Sequence, residues 1–303
     1  MCSAPLTRAA LLALALTALL AAAGAPAAIA GGGGISPPSG DQGDDPKSGG
    51  GKKKPGRKAT GASLLSVTTK PGKAFFDARH KAKFAFELRG KRRRDLLVTA
   101  IRVADATPVK SWRLNGVKPG SEPLIRWSGW TDDGSLAPQG TYQFVIANAD
   151  GSAADTSRSE GRALVEFFGH KFPVRGEHSY GDGLGAGRGH RGFDIPADCG
   201  TPIVAARGGT VQWRKFQRSG AGHYIVIDGR RTGLDYTYMH LQERARFAKG
   251  ERVRTGELLG YVGSTGHSTG CHLHFEVWSA PGWGNGGKFL DAEKMAKRWD
   301  TWS

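Results

Sequence analysis

The stretch Ser268-Thr269-Gly270-Cys271-His272-Leu273-His274-Phe275-Glu276-Val277 constrains this chain more than any other. In an extended strand alternate side chains share a face. Leu273, Phe275 and Val277 therefore point one way and His272 and His274 the other. The pattern predicts a strand with one face on a core and the other in a site. A His-x-His pair alone does not establish a metal, so the rest of the chain has to supply or withhold partners.

At 303 residues the chain is long enough for two domains. Residues 1–30 read as a secretory signal: Arg8 is the positive start, Ala9 to Ala23 the apolar run, and Ala28-Ile29-Ala30 the small-x-small cleavage signal. The competing reading is a retained anchor, for which the apolar run is short. No later segment is apolar enough to cross a bilayer, so the mature chain is expected to be extracellular. The net charge of +16 suits an anionic partner such as a cell-wall polymer but does not choose among anions. Cys2 precedes the apolar run and leaves with the signal. Cys199 and Cys271 remain, and in an exported chain an even pair reads as a disulfide. A thiolate zinc ligand at Cys271 is the alternative, because it adjoins His272.

Residues 31–60 are Gly, Pro, Ser, Asp and Lys, too polar to bury surface, and are expected to form a disordered linker. Its Lys52-Lys53-Lys54 cluster reads as part of a solvated tether. Residues 61–170 carry short alternating runs: Phe84, Phe86 and Leu88; Leu97, Thr99, Ile101 and Val103; Tyr142, Phe144 and Ile146; and a last strand over Ala163 to Phe168. Such runs predict a small antiparallel β-sandwich. The segment Trp127-Ser128-Gly129-Trp130 with Gly140-Thr141-Tyr142 resembles the immunoglobulin-like domain of the flagellar hook-capping protein. No convergent set of catalytic residues lies here, so spacing, partner binding or control of access is its expected role.

Residues 171–303 form a second β-rich unit, with strands expected over Ile203 to Val211, Tyr224 to Asp228, Asp235 to Leu241, Leu258 to Val262 and His272 to Trp278. Asp291 is placed to cap a final helix through Arg298. Two further pieces join the opening stretch: His190-Arg191-Gly192-Phe193-Asp194 and Thr237-Tyr238-Met239-His240-Leu241. Catalytic zinc sites use three His, Asp or Glu ligands and leave a position for water. His190, Asp194 and His274 supply such a set, with His240 and His272 beside it as proton-handling groups.

With Gly263-Ser264-Thr265-Gly266 leading into Gly270-Cys271-His272-Leu273-His274-Phe275-Glu276, these motifs resemble the M23 zinc metallopeptidases of lysostaphin and LytM type, from about Phe172 to Leu290. The resemblance implies a mainly β, mostly antiparallel fold, one zinc ion on His190, Asp194 and His274, and catalytic roles for His240 and His272. It implies a secreted, wall-associated endopeptidase that cleaves peptidoglycan stems or cross-bridges. Some members lack ligands and only bind or regulate; here all five positions are filled. A non-catalytic wall-binding or regulatory protein that keeps its zinc is the alternative. No nucleic-acid partner is expected, and the oligomeric state is open. On this reading a Cys199–Cys271 bond ties the first ligand segment to the last. His223 is placed near the groove at most, His178 and His267 in exposed loops, and His80 and His170 outside the constellation. The Gly-rich strands Ile203 to Val211 and Val253 to Val262 also resemble biotinyl and lipoyl carrier domains, but no lysine stands on a suitable hairpin tip.

Overall fold

The computed structural model describes residues 63–150, 152, 163–187 and 189–303. The signal expected over residues 1–30 and the linker over 31–60 lie outside the described residues. Two cores are built separately, each from alternating strands.

The first contains β1 (Ser63–Lys70), β2 (Lys73–Phe75), β3 (Ala82–Arg89), β4 (Arg94–Arg102), β5 (Pro108–Val117), β6 (Leu124–Trp127), β7 (Gly140–Asn148) and β8 (Leu164–Phe168). One sheet has the order β1-β3-β6 and the other β2-β8-β7-β4-β5. Their inner faces form a sandwich core: Phe84 of β3 stacks on Phe144 of β7 at 4.9 Å, and Trp127 meets Tyr142 at 4.8 Å and Phe167 at 5.1 Å. Each such ring contributes about 1.5–3 kcal/mol by burial. Gly129 allows the approach of Phe167: its φ is 89°, and a Cβ there would sit 2.0 Å from the ring. The Tyr142 hydroxyl donates to the Pro138 carbonyl at 2.5 Å and closes the turn into β7.

The face of β4 differs from expectation. Leu96, Val98 and Ala100 enter the sandwich core, whereas Thr99 and Ile101 of the opposite parity are buried outside that cluster and Val103, past the strand's end, is 50% exposed. Both parities of this strand are apolar, so alternation alone could not choose, and pairing with β5 and β7 decides.

The second unit has β9 (Phe193–Pro196), β10 (Pro202–Val204), β11 (Gly209–Gln217), β12 (Gly222–Gly229), β13 (Leu234–Leu241), β14 (Arg252–Val253), β15 (Leu258–Tyr261), β16 (His272–Ser279) and α1 (Ala292–Asp300). Six strands form one sheet, ordered β14-β11-β12-β13-β16-β9, and β10 pairs with β15. Leu273, Phe275 and Val277 of β16 are fully buried with Tyr236, Tyr238 and the α1 residues Ala292, Ala296 and Trp299. Asp291 caps α1 through a 2.9 Å bond from the Lys294 amide. The single strand expected over Ile203 to Val211 is two strands, because the chain turns at Ala205 to Gly208 to bury Arg207. Gly208 suits that turn, since a Cβ would stand 2.8 Å from the Thr255 amide nitrogen. Cys199 and Cys271 are bonded, with Cα atoms 5.3 Å apart across 72 residues of sequence.

Arg207 also joins the two units. It is fully buried, donates to the carbonyls of Gly169 (2.7 Å) and Arg230 (2.7 and 3.1 Å), and lies 4.0 Å over the Phe76 ring. Burial lowers its pKa to about 10, which leaves it charged at neutral pH. Beside it, Asp77 accepts from Arg230 (3.2 Å) and Arg252 (2.8 Å), and Phe168 stacks on Trp302 at 4.9 Å. Arg207→Ala empties this volume and leaves carbonyls without a donor, so denaturant titration should show a loss of about 3 kcal/mol.

His170 is stacked 4.5 Å from Trp299 and bonded to the Tyr236 hydroxyl at 2.7 Å. Burial, then the charge of Arg207, push its pKa from 6.5 down to about 3. The unfolded chain therefore takes up the proton first. The stability His170 contributes is whole above about pH 6.5 and is lost as pH falls toward 3. Urea melts between pH 7 and 4 should show this fall, and His170→Gln should make it shallower.

Candidate metal centre and active site

The pairing of β9 with β16 puts Asp194 directly opposite His274. Opposed residues share a face, so both point away from the core. His190 reaches them from the preceding loop, across Gly192. A Cβ at Gly192 would lie 2.7 Å from both His274 Nε2 and the Phe275 carbonyl, which excludes any larger residue from the crossing. His190 Nε2 is then 3.1 Å from Asp194 Oδ1 and 3.0 Å from His274 Nδ1, and His274 Nδ1 is 2.8 Å from Asp194 Oδ1. One donor atom from each of the three lies within 4.8 Å of the others.

The second nitrogen of each ring explains this convergence. His190 Nδ1 donates to the Gly183 carbonyl (2.9 Å), and His274 Nε2 donates to Glu276 Oε1 (3.1 Å). With those bonds directed outward, each inward nitrogen presents a lone pair beside a carboxylate once its proton is displaced, the donor set of a zinc site. A tetrahedral ion with bonds of about 2.0–2.2 Å holds its donors roughly 3.3–3.6 Å apart. The observed edges, 2.8 to 3.1 Å, would need to open by roughly 0.2–0.8 Å, so the residues fit zinc with a small outward shift of the side chains. The electrostatics agree. Burial opposes charge on His274, but Asp194 and Glu276 overcome it and hold its pKa near 9. Burial likewise opposes charge on Asp194, yet the surrounding histidines bring its pKa below the usual value. A cation is favoured at this point.

His240 and His272 stand beside the cluster, with ring centroids 4.7 Å apart. Alternation puts His272 there directly, its Nδ1 on the Gly270 carbonyl at 2.9 Å and its Nε2 3.7 Å from Asp194. His240 arrives differently. Its neighbours Tyr238 and Leu241 both face the core, and strict alternation cannot place His240 opposite to both. The register between β12 and β13 shifts between His223 and Ile225, leaving an extra residue in β13, and His240 has φ 60°. This bulge turns the ring toward the site, as bulges do beside functional residues. Thr265 holds it: its carbonyl accepts from His240 Nδ1 at 2.8 Å, and its hydroxyl donates to the Leu241 carbonyl at 2.7 Å. Burial, with the nearby His272 and His274, pushes the pKa of His240 down to about 4 against that hydrogen bond, so the imidazole is neutral.

Sequence reasoning missed Glu276 and Thr265. Glu276 is 4% exposed, and its Oε2 accepts from the indoles of Trp278 (2.8 Å) and Trp283 (3.2 Å) while Oε1 holds His274. The signal was available, since Glu276 continues the period of His272 and His274 on the polar face. Thr265 carried no comparable signal, because its role depends on a loop meeting β13. Cys271 is bonded to Cys199 and is not a ligand. His178, expected to be solvent-exposed, is instead tied to Gly176 and Asp300 (2.9 and 3.2 Å) with its ring 4.6 Å from Phe172. Its loop is drawn against the end of α1. His223 packs on Phe216 at 4.6 Å, and His267 is exposed.

Peptidase family M23 matches residues 188–289, which contain every residue of this cluster. This stretch is an M23 peptidase domain. The chain is 41% identical over 91 residues to an uncharacterized metalloprotease of Haemophilus influenzae, covering 29% of this chain and 18% of that one. It is 42% identical over 87 residues to the peptidoglycan DD-endopeptidase ShyC of Vibrio cholerae (29% and 19%). It is 34% identical over 90 residues to the glycyl-glycine endopeptidase ALE-1 of Staphylococcus capitis (30% and 25%). The matched stretch thus spans about a fifth to a quarter of each relative. Among solved structures, the lysostaphin catalytic domain of Staphylococcus simulans is 28% identical, covering 40% of this chain and 92% of that one at a TM-score of 0.37.

In the M23 domain the Glu276 carboxylate accepts from three N–H groups. An amide in its place would turn an NH2 toward one of those donors. Glu276→Gln should therefore weaken zinc binding by about ten- to a hundred-fold, measured by competition with a chromogenic chelator.

Proposed function

We propose that this chain is a secreted, zinc-dependent endopeptidase that hydrolyses peptide bonds of bacterial peptidoglycan, in stems or cross-bridges. The observation that carries the reading is the convergence of His190, Asp194 and His274 beside two further histidines, with all four rings turned so that one nitrogen faces inward. The peptidoglycan endopeptidases among the relatives support the substrate class.

Zinc held by His190, Asp194 and His274 would act as a Lewis acid, lowering the pKa of water and polarising a scissile carbonyl. The rest falls to the protein. His240 is neutral and its Nδ1 proton is committed to Thr265, so Nε2 is free to accept a proton from attacking water. His272, with Nδ1 committed to Gly270, offers Nε2 on the same side, able to hold a developing oxyanion when protonated or to pass a proton to the departing amine. Their adjacency allows one to act on the nucleophile and the other on the leaving group.

The floor of the site continues along the sheet. Met239 is the cross-strand partner of His274, and with Tyr224 and Val226 it forms a small apolar cluster flanked by Trp213 and Trp283. Trp283 is fixed by its amide to Asp235 (2.8 Å) and its indole to Glu276. An extended wall peptide laid across β16, β13 and β12 would meet this apolar ledge next to the reacting centre.

Chelation should abolish cleavage of purified peptidoglycan, and added zinc should restore it. His274→Ala should lose both metal and turnover. His272→Ala should keep its metal while kcat falls by about a hundred- to ten-thousand-fold. Hydrolysis that persists after complete removal of metal would overturn the reading. A fully loaded protein that cleaves no purified wall would favour a binding or regulatory role instead.

A further inference from the structure

The outer face of the three-stranded sheet in the first unit carries an arrangement that folding does not explain. Lys70 of β1 is paired in register with Lys83 of β3, and Lys83 with Arg126 of β6. All three are exposed. Strands lie about 4.8 Å apart, so three like charges stand side by side across the sheet, where like pairs destabilise. Among the described residues none of the three has a carboxylate within salt-bridge distance. Glu87, on the same face of β3, lies four residues along from Lys83, roughly 13 Å away.

The row does not stop at the edge of β1. The chain passes from Lys70 through Pro71 into a cleft of about 450 Å³ between the two units, lined by Lys73, Arg79 and Lys171 among others. Lys73 Nζ donates to the Trp302 carbonyl (3.1 Å) rather than to Glu166, its register partner on β8, and Lys171 Nζ lies 4.9 Å over the Phe75 ring; among the described residues neither has a carboxylate within salt-bridge distance. Glu257 is the one acid lining the cleft, and its Oε2 already accepts from the Arg254 amide at 2.8 Å. Six cations thus lie along this path, three in the row and three in the cleft that the chain enters directly after Lys70.

We propose that this path binds a linear polymer with repeating phosphodiester groups, and that it holds the enzyme on the anionic part of the cell wall. The regular spacing favours a repeating anion over a single one. The outward positions along the row and the strand beside it (Lys70, Thr68, Lys83, Ala85 and Arg126) include no aromatic ring, so the row offers no platform for stacked nucleobases, and in the cleft the Phe75 ring is already covered by Lys171. The choice of a wall polymer rests on the endopeptidase reading given above, whereas the binding site itself stands on the charges.

The experiment is a titration of the full chain with poly(glycerol phosphate) at several salt concentrations, beside poly-glutamate and duplex DNA. Wild type should bind poly(glycerol phosphate) in preference to both others, with affinity falling steeply as salt rises. The triple variant Lys70→Glu, Lys83→Glu, Arg126→Glu should bind at least ten-fold more weakly. Its slope of log affinity against log salt should be shallower by about 2, as expected when three phosphate contacts are removed. The charge-keeping variant Lys70→Arg, Lys83→Arg, Arg126→Lys should bind as wild type does. Hydrolysis of a short soluble peptide should be the same in all three proteins, which separates this site from the catalytic one. Equal binding by the charge-reversed variant, no binding at low salt, or equal affinity for DNA or poly-glutamate would each overturn the proposal. Loss of peptide hydrolysis in wild type would instead count against the endopeptidase reading and leave the binding result to stand or fall separately.

Discussion

The candidate centre depends on one imidazole held between two carboxylates. His274 gives its Nε2 proton to Glu276 and turns Nδ1 to Asp194 and His190. That hydrogen bond fixes which ring nitrogen faces Asp194 and His190, and with it the position where a cation is favoured. Glu276 can serve because it is itself buried and anchored by the indoles of Trp278 and Trp283. A freely rotating carboxylate would fix neither the ring nor its proton. The same logic recurs at His190, His240 and His272, where backbone carbonyls take the outward proton. Backbone acceptors are fixed by the fold, so each histidine's orientation follows from the loop that faces it.

The scaffold is rigid where this geometry needs it. β16 has a fully buried apolar face against the α1 side of the core, so its polar face has little freedom to move. Gly192 lets the loop bearing His190 cross within contact of His274. The Cys199–Cys271 bond joins the chain just after β9 to the chain just before β16, the two strands that carry Asp194 and His274. On the far side, buried Arg207 and the Asp77 ion pairs seat the sandwich against the ends of β11, β12 and β14, away from the histidines. Among the described residues the sandwich contributes none to the centre, and its contacts engage the β11, β12 and β14 ends of the sheet and Trp302 beyond α1.

The alternating order of apolar and polar residues determined much of this protein. From it came the mainly β architecture, the face of β16 that carries His272 and His274, and the inward residues of β3 and β7; the final helix came instead from Asp291 as its cap. Residue chemistry together with the M23 resemblance picked out His190, Asp194 and His274 as a ligand set. Periodicity works here because a strand with one wet face must alternate, whatever else it does. It failed at β4, where both parities are apolar and only the neighbouring strands choose the inner face. It failed again between Ile203 and Val211, where the need to bury a guanidinium bends an apolar run. What only the tertiary structure decided are the features made by segments distant in sequence. Thr265 meets His240 across a bulge, His178 is drawn to Asp300, and the cations of β1, β3 and β6 come into register. A local pattern records which face a residue prefers, but it holds no record of which distant backbone atom will face it, and in this site that atom sets where each proton goes.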